Sequence, residues 1–514
     1  MKNKSTASAC ECPATCASVQ ADAAEVFDDL VAFCRSSELP FGSFEKELLI
    51  RLAVLGCCLL RLFLSARHER LDVRPFFQQG AFRAGDPYAQ RTLKTVYGEV
   101  TYGRQYLQSC GGGHGIFPLD VVLGLTWDAL SPWVMQWVAR LATRMSFMAA
   151  KMVCQAVLNW APATETIEQV VLGMGRAAAP FMQQLEAPAQ DGEVLVIELD
   201  GKCPPTATAA ELAKRRGKRK PKHLKDCPCG CQRHRGKKKR QARGRKKRRK
   251  KGDKSKNGKE VIVVVMYTLR RGADGKLHGP LNKKLYATFA GSRVAAAWAR
   301  AEATKRGFGP DTTKIVQVAF DGSKRLQKAM ERKFPKAIFT LDVFHVVERL
   351  WAIGRHYHKE GSAGLEAFVD ELKVLLYAGK AETLVQRLRK LLQEVPPNGP
   401  GTKAKRKTLK SNIGYMSRRL PMMRYQEWQD QDLVIGTGQV EGAVRHLVGE
   451  RFDCAGMRWV KEKAEALLHL RCIELNGDWH KFVNWFQRKN QGHLQKGERH
   501  RVLTDQPLTL TKAE

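Results

Sequence analysis

The sequence predicts an α/β chain, with a mixed β-sheet in its second half and mainly helices before it. Residues 194–199 and 261–269 are apolar, β-branched runs of strand length, typical of strands covered on both faces. Two shorter runs, 315–320 and 337–341, are separated by a segment of helical periodicity. Each run is followed directly by an aspartate. Helical periodicity also dominates the sequence between residues 131 and 176, ahead of the first of these strands.

The first 125 residues are expected to form a tail, two helices and a hairpin. Residues 1–22 look disordered. Residues 24–34 and 44–67 have apolar residues at helical spacing and are expected to pair as two helices. Residues 93–107 contain two β-rich runs around a glycine, which predicts a β-hairpin. We therefore expect a helical and hairpin region over residues 23–125.

Residues 126–190 are expected to form short helices with tight turns. Pro132 and Trp133 open the first helix, and Ala163–Thr166 resembles the cap of the third. Such a set is compatible with a helix-turn-helix DNA-binding region. An ordinary three-helix bundle fits the pattern equally well.

The second half divides into a sheet domain, an insertion and a return to the sheet domain. Over residues 191–361 the predicted order is β, β, β, α, β, α, β, α, with a basic insert at 214–259. Residues 362–430 are helical and contain one Pro/Gly break. Residues 431–490 contain a glycine-rich turn and further helices, and residues 491–514 are expected to be a C-terminal tail.

The charge of the chain predicts a polyanionic partner. The 514 residues include 88 Lys and Arg against 51 Asp and Glu, a net charge of +37. Nucleic acid is the simplest such partner, and an anionic membrane surface is the other candidate. Residues 214–259 hold 25 of the basic residues and only two acids, and a run of this kind repels itself into an extended arm.

We expect this arm to bind phosphates without sequence preference, with a solvated tether as the alternative. The basic residues at its centre, expected to contact nucleic acid, are Lys237, Lys238, Lys239, Arg240, Arg243, Arg245, Lys246, Lys247, Arg248 and Arg249. Cys227, Cys229 and Cys231 lie in the same arm at C-x-C-x-C spacing, whereas zinc ribbons use C-x2-C. A zinc ion at these three cysteines is therefore the less favoured interpretation.

Composition excludes several classes of protein. Hydrophobic residues make up 43% of the chain, which excludes a wholly disordered protein, and 14 cysteines are too few for a secreted disulfide scaffold. The N-terminus lacks the apolar segment of a signal peptide. Leu48–Leu64 is the most apolar stretch, but Arg51 and Arg61 interrupt it, so we expect a buried amphipathic helix and no membrane span. These features predict a cytoplasmic protein.

Three acids lie at the edges of predicted elements: Asp200, Asp321 and Glu441. Convergent carboxylates suit a hard cation such as Mg²⁺, and two such ions clamp the attacking and leaving oxygens of a phosphodiester displacement. Together with the basic arm, this set predicts metal-assisted phosphoryl transfer on nucleic acid. The structural alternatives are Asp-Gly turns for the two aspartates and an i, i+4 pair of Glu441 with Arg445.

Further residues compete with this set or assist it. Glu198 lies two residues before Asp200 on the same strand face and is a rival ligand. Asp342 ends the last strand, and His345 follows three residues later on the next helix. This pair is either a structural pair at a helix start or an element that orients the site, and it could also touch DNA. Asp342 in place of Asp321 is an open alternative, although we favour Asp321.

An ordered set of short motifs gives the chain a family resemblance. Ala319–Ser323 (AFDGS), Phe334–Ala337 (FPKA), Leu341–Arg349 (LDVFHVVER) and Gly438–Gly442 (GQVEG) resemble a bacterial insertion-sequence transposase of the ISKra-type family, related to Mutator-like DDE transposases. The resemblance covers most of residues 191–485. Two N-terminal stretches also resemble that family, Tyr97–Val100 (YGEV) and Pro118–Gly124 (PLDVVLG).

The resemblance implies an RNase H-like catalytic core with an all-α insertion and a DDE triad. Asp200, Asp321 and Glu441 match the three acids, which would hold two Mg²⁺ or Mn²⁺ ions. Asp342 and His345 match the Asp-x-x-His signature of the Mutator-like relatives. The helical stretch 362–430 would be the insertion placed before the last acid. The basic, cysteine-containing insert departs from the family pattern.

The implied function is a DNA transposase that binds terminal inverted repeats and catalyses strand cleavage and strand transfer. The N-terminal helices would recognise the repeats, and the basic arm would hold phosphates. Two DNA ends must be joined, so a homo-oligomer is expected, in the bacterial cytoplasm and associated with the nucleoid. The alternatives are a non-catalytic repressor derived from a transposase and an RNase H-like nuclease or resolvase.

Overall fold

The structure is a computed structural model that describes residues 15–77, 81–215, 258–454, 457–504, 506 and 508–510. The chain separates into two compact units. The first unit contains Met1–Met182 and Gly477–Leu508, and the second contains Gln183–Asn476 and Thr509–Glu514. The predicted α/β class with a helical N-terminal region is confirmed.

The first unit is mainly helical and contains two small antiparallel sheets. In chain order its N-terminal elements are α1 (Cys16–Ser36), α2 (Phe41–Glu69), α3 (Arg74–Phe77), β1 (Phe82–Ala84), β2 (Ala89–Thr95), β3 (Gly98–Arg104), β4 (Leu107–Ser109), α4 (Pro118–Leu123), α5 (Pro132–Arg144), α6 (Phe147–Leu158) and α7 (Thr164–Gln184). The strands pair as β1 with β4 and β2 with β3, so the predicted hairpin is confirmed.

Hydroxyl side chains begin several of these helices. Thr15 accepts a hydrogen bond from the main-chain N–H of Ser18 and thereby caps α1. Ser131 and Ser146 cap α5 and α6 in the same way, as expected of Ser at helix N-termini. Because of the first cap, α1 starts at Cys16, and the prediction of a disordered tail to residue 22 is wrong for its last residues.

The helix α2 is much more exposed than predicted. By length and composition alone it could cross a membrane, the one such helix among the described residues. It packs on α1 and β3, which together cover only part of its 29 residues. The prediction of a buried amphipathic helix is therefore wrong. The exposed apolar side chains along one stripe of α2 are Phe41, Leu49, Leu52, Leu59 and Phe63.

The second unit contains the predicted sheet and its helices. Its elements are β5 (Val194–Lys202), α8 (Ala209–Arg215), β6 (Val261–Arg271), β7 (Leu277–Thr288), α9 (Ser292–Lys305), β8 (Val316–Phe320), α10 (Lys324–Lys333), β9 (Ile338–Leu341), α11 (Val343–Gly354), α12 (Ala363–Tyr377), α13 (Ala381–Glu394), α14 (Thr402–Ser417), α15 (Tyr425–Asp430), α16 (Gly438–Val444), α17 (Glu450–Phe452) and α18 (Lys461–Leu475). A 3₁₀ turn lies at Leu420–Met422 and a π-helical turn at Arg445–Gly449.

The five strands form one mixed sheet in the order β7-β6-β5-β8-β9. The strand β6 is antiparallel to both β5 and β7, whereas β5, β8 and β9 run parallel to one another. Every residue of β8 and the first six residues of β5 are buried, which explains their continuous apolar sequences. The predicted order of the strands and of the helices from α9 onward is confirmed, whereas the short helix α8 between β5 and β6 was not predicted.

The predicted helical stretch 362–430 is helical in the structure, and the predicted boundary at residue 490 differs from the observed one at Gly477. The described residues between α11 and Asp430 are helical or in turns. Residues Gly477–Leu508 belong to the first unit, in which the helix α19 (Trp479–Gln495) packs with α7. The ring of Phe482 lies 5.3 Å from that of Phe181 on α7, so aromatic packing assigns α19 to the first unit.

The described part of the predicted C-terminal tail, residues 491–514, is packed against the first unit at Val502 and Leu503. The carboxylate of Asp128 accepts hydrogen bonds from the main-chain N–H groups of Val502 and Leu503. Two predictions lie outside the described residues. They are the phosphate-binding residues between Lys237 and Arg249 and the cysteine cluster Cys227, Cys229 and Cys231.

Candidate active site at the carboxyl ends of three parallel strands

Three aspartates follow three neighbouring parallel strands at the same level of the sheet. The register pairs Leu199 of β5 with Phe320 of β8, and Phe320 with Leu341 of β9. The next residue in each strand or just beyond it is Asp200, Asp321 and Asp342, respectively. Adjacent strands lie about 4.8 Å apart, so the register gathers the three carboxylates at one edge of the sheet.

Asp342 is the most firmly held of the three. It is fully buried and caps α11, because its Oδ2 atom accepts a hydrogen bond from the main-chain N–H of His345 at 3.1 Å. The same oxygen lies 2.5 Å from Nδ1 of His345. Its other oxygen accepts the main-chain N–H of Thr437 at 3.0 Å. Asp342 therefore joins β9, α11 and the segment before α16.

Glu441 reaches the site on α16, which packs on β5 and β6. The carboxylate of Glu198 anchors this helix, since it accepts the main-chain N–H of Val440 at 2.8 Å. The hydroxyl of Tyr267 donates to the other oxygen of Glu198 at 2.6 Å. Glu198 is almost completely buried, so the structure gives it an anchoring role instead of the rival-ligand role predicted from its spacing.

Burial and neighbouring charges raise the pKa values of two acids in the site. Burial raises the pKa of Asp200, and the negative charges of Asp321 and Asp342 raise that pKa further. Burial also raises the pKa of Glu441, with contributions from Asp342 and Asp200. Neighbouring negative charges that raise the pKa values of Asp200 and Glu441 in this site favour a bound cation.

The pKa of His345 is also raised, which favours the charged form of the imidazole. Its hydrogen bond to Asp342 is the main cause that raises its pKa to about 9, and the charges of Asp342, Glu348 and Asp321 add to this effect. Glu348, on the exposed face of α11, also raises the pKa of Glu441. Glu348 lies three residues after His345, so helical spacing from the Asp-x-x-His motif was the signal that could have identified it.

The tightest group of donor atoms includes only one member of the predicted triad. Among the described residues, donor atoms of Asp342, His345 and Glu441 lie within 4.8 Å of one another. Asp200 and Asp321 are not in this group, although their charges act on it. Oδ1 of Asp321 accepts the N–H of Ser323 at 2.9 Å, which is the turn that its sequence also predicted.

The alternative pairing predicted for Glu441 is not found. Among the described residues, Glu441 forms no ion pair with Arg445, so its carboxylate is not held by the next turn of its own helix. Carboxylate oxygens dominate the donors gathered here, with one imidazole beside them. Such a set fits Mg²⁺ or Mn²⁺, which prefer oxygen ligands.

Two residues of the helical insertion hold the Asp321-Gly322 turn, and sequence reasoning missed both. The hydroxyl of Tyr415 on α14 donates to the carbonyl oxygen of Asp321 at 2.7 Å. The guanidinium of buried Arg419 donates to the carbonyl oxygen of Gly322 and lies over the ring of Tyr415. No local pattern marks these residues, since each acts on a carbonyl group more than 90 residues earlier in the chain.

Removing the Tyr415 hydroxyl is expected to lower activity more than stability. In Tyr415→Phe the carbonyl of Asp321 loses its donor, which should cost about 1 kcal/mol of unfolding free energy. Strand cleavage, the activity that the sequence predicts, should fall about 10-fold, because groups that support a metal ligand typically contribute that much. Urea unfolding and a cleavage assay measure the two effects. Tyr88→Phe, at a half-exposed tyrosine of the first unit, is the control and should change neither.

The His345–Asp342 pair is expected to make stability depend on pH. Because the folded pKa of His345, about 9, exceeds its ordinary value of 6.5, protonated His345 stabilises the fold. This contribution is complete below about pH 6.5 and disappears as pH rises through about 9. The difference in unfolding free energy between wild type and His345→Gln, measured in EDTA, should therefore shrink between pH 6 and 9.5. A difference that stays constant over this range would contradict the interpretation.

Comparison with known proteins gives no identification, since no protein-family model and no curated protein matches the chain. The site combines acids from four segments that are far apart in the chain, with supporting residues from a fifth.

Proposed function

We propose that this chain is a DNA transposase of an insertion sequence, similar to the ISKra-type family. It would bind terminal inverted repeats and catalyse metal-dependent strand cleavage and strand transfer. The observation that carries the proposal is the alignment of Asp200, Asp321 and Asp342 at one sheet edge, with Glu441 brought to the same edge by α16. Aspartates that serve only to form turns would not need to lie at the same level on three neighbouring strands.

The topology of the sheet supports an RNase H-like core. Three antiparallel strands are followed by two strands parallel to the first, in the order third, second, first, fourth, fifth. The family resemblance implies an RNase H-like core whose first acid, Asp200, lies at the end of its first strand and whose second acid, Asp321, follows a later strand. The locations of these two residues near the carboxyl ends of β5 and β8 agree with that proposal. The helical insertion between α11 and α16 is also in the expected place.

We assign metal binding to Asp200, Asp321 and Glu441, and support to Asp342 and His345. Asp342 already accepts three hydrogen bonds from protein groups, which leaves it less free to bind an ion than Asp321. Two Mg²⁺ or Mn²⁺ ions, when bound, would supply Lewis-acid stabilisation of the attacking and leaving oxygens.

The residues of the chain itself orient the reacting groups. Asp342 fixes His345 and the segment before α16, so that Glu441 is held in place before DNA arrives. Glu198 ties the same helix to β5, and Tyr415 with Arg419 fixes the turn that carries Asp321. Protonated His345 would place a positive charge beside the DNA phosphates.

The net charge of +37 supports DNA as the partner. Two DNA ends must be held together to be joined, so we expect a homo-oligomer. The same proposal places the protein in the bacterial cytoplasm, associated with the nucleoid.

An in-vitro reaction tests the function. Purified protein is mixed with labelled DNA that carries the terminal repeats flanking its gene, in Mg²⁺ or in EDTA. Metal-dependent nicks at the repeat ends, followed by strand joining, are expected. Binding without cleavage would favour the repressor, and cleavage without joining would favour a nuclease or resolvase.

A further inference from the structure

The first unit contains a cavity of about 540 Å³ whose lining is strongly basic. It lies between α7, α19 and the segment from Arg499 to Gln506, so both ends of the first unit form it. Among the described residues, no Asp or Glu side chain lines it. The charged and titratable side chains in its lining are Arg176, Lys489, His493, Arg499, His500 and Arg501.

One of these cations shapes the cavity. Arg176 on α7 donates to the hydroxyl of Thr504 at 3.0 Å and to the main-chain carbonyl groups of Thr504 and Gln506. Its guanidinium therefore fastens the C-terminal segment to α7. The wall opposite α19 depends on this contact, so Arg176 is a poor choice for a test of binding.

Two other cations are exposed but held by aromatic rings. The Nζ atom of Lys489 lies 5.2 Å from the ring centroid of Trp485, and the guanidinium of Arg499 lies 4.6 Å from that of Trp127. Such contacts restrict the side chains at small energetic cost and leave their N–H groups available to a ligand. Arg501 is also exposed at the rim.

Two histidines stack inside the same cavity. The rings of His493 and His500 lie 4.6 Å apart and nearly parallel. One nitrogen of each ring is already occupied, in His493 by Glu498 at 2.5 Å and in His500 by Asn490 at 2.9 Å. With these nitrogens donating, the other nitrogen of each neutral ring is an acceptor, so the attraction for anions comes from the cations of the lining.

We propose that this cavity binds backbone phosphates of DNA. The ligand identity rests on the proposed function, whereas preference for an anion follows from the lining alone. Lys489, Arg499 and Arg501 are exposed, as contact with a continuous backbone requires, and no lining acid of the described residues opposes them. The cavity provides the first unit with a phosphate contact separate from the basic arm.

The salt dependence of DNA binding by the full-length chain tests the proposal. In the double variant Lys489→Gln with Arg501→Gln, two phosphate contacts are lost, so the slope of log affinity against log salt should fall by about 2. The control, Arg488→Gln with Lys496→Gln, removes the same charge from exposed positions beside the cavity that do not line it. Fluorescence anisotropy with a labelled duplex measures both slopes.

The outcomes separate this site from its alternatives. A reduced slope in the cavity variant and an unchanged slope in the control would support the proposal. Equal reductions in both variants, or no reduction in either, would overturn it. If the cavity variant binds DNA normally but loses affinity for pyrophosphate, the cavity binds small anions and the DNA assignment is wrong. Strand cleavage by the wild type is scored separately, so failure of the transposase proposal would leave the slopes unaffected.

Discussion

Replacing Glu441 by glutamine is expected to abolish metal-dependent strand cleavage while DNA binding persists. Glutamine keeps the size of the side chain but removes the negative charge that α16 brings to Asp342 and His345. Substitution of groups that merely support a metal ligand typically lowers activity 10- to 100-fold, so loss of a ligand should lower it by at least about 100-fold. The side chain is largely exposed, so the fold should survive.

The measurement is cleavage of end-labelled repeat DNA in Mg²⁺, with anisotropy as the binding assay. Glu366→Gln, at an exposed position in the first turn of α12, is the matched control and should cleave like wild type. Full cleavage by the Glu441 variant would remove Glu441 from the site. Loss of both cleavage and DNA binding would instead indicate that the substitution disturbs the protein more widely.

Replacing Gly322 by alanine is expected to give the largest loss of stability. Its φ angle is +83°, in the left-handed region that side chains disfavour by about 1–2 kcal/mol. An added Cβ atom would also lie 2.6 Å from Nε of Arg419 and 2.8 Å from both Leu341 and the hydroxyl of Tyr415. Overpacking typically costs a further 1–3 kcal/mol, so the total should be about 2–5 kcal/mol.

Gly361→Ala separates the two causes. Gly361 has a similar φ of +74°, but no atom lies within 4 Å of an added Cβ, so this variant should lose only about 1–2 kcal/mol. Urea unfolding compares the two. Because Arg419 and Tyr415 hold the carbonyl groups of Asp321 and Gly322, Gly322→Ala should also reduce cleavage, and Gly361→Ala should not. Equal stability losses in the two variants would show that close contacts around Gly322 add nothing to the cost of its positive φ angle.

These contacts give the helical insertion a role in the site beyond its position in the chain. Tyr415 and Arg419 hold the carboxyl end of β8, and the hydroxyl of Tyr425 donates to the carbonyl of Leu341 at the end of β9. Two of the three strand ends that present acids are thus fixed by side chains from the insertion. Its helices therefore contribute to the precision of the site even though none of the proposed ligands lies on them.

Local sequence was sufficient for the elements of the sheet. The order of β5 to β9 and of α9 and α10 between them followed from the lengths and periodicities of apolar runs, which depend on neighbouring residues. The strand-end positions of Asp200, Asp321 and Asp342 followed for the same reason. The start of α1 and the exposure of α2 were predicted wrongly, because a cap and the extent of packing decide them.

The sequence by itself determined the strand order along the chain, the acids at the strand ends and the basic character of the protein. Only the tertiary structure decided that Glu198 anchors α16, that Glu441 lies beside Asp342 and His345, and that α19 belongs to the first unit. The reason is separation along the chain. Glu198 and Val440 are 242 residues apart and Asp321 and Tyr415 are 94 apart, and periodicity carries no information about contacts over such distances.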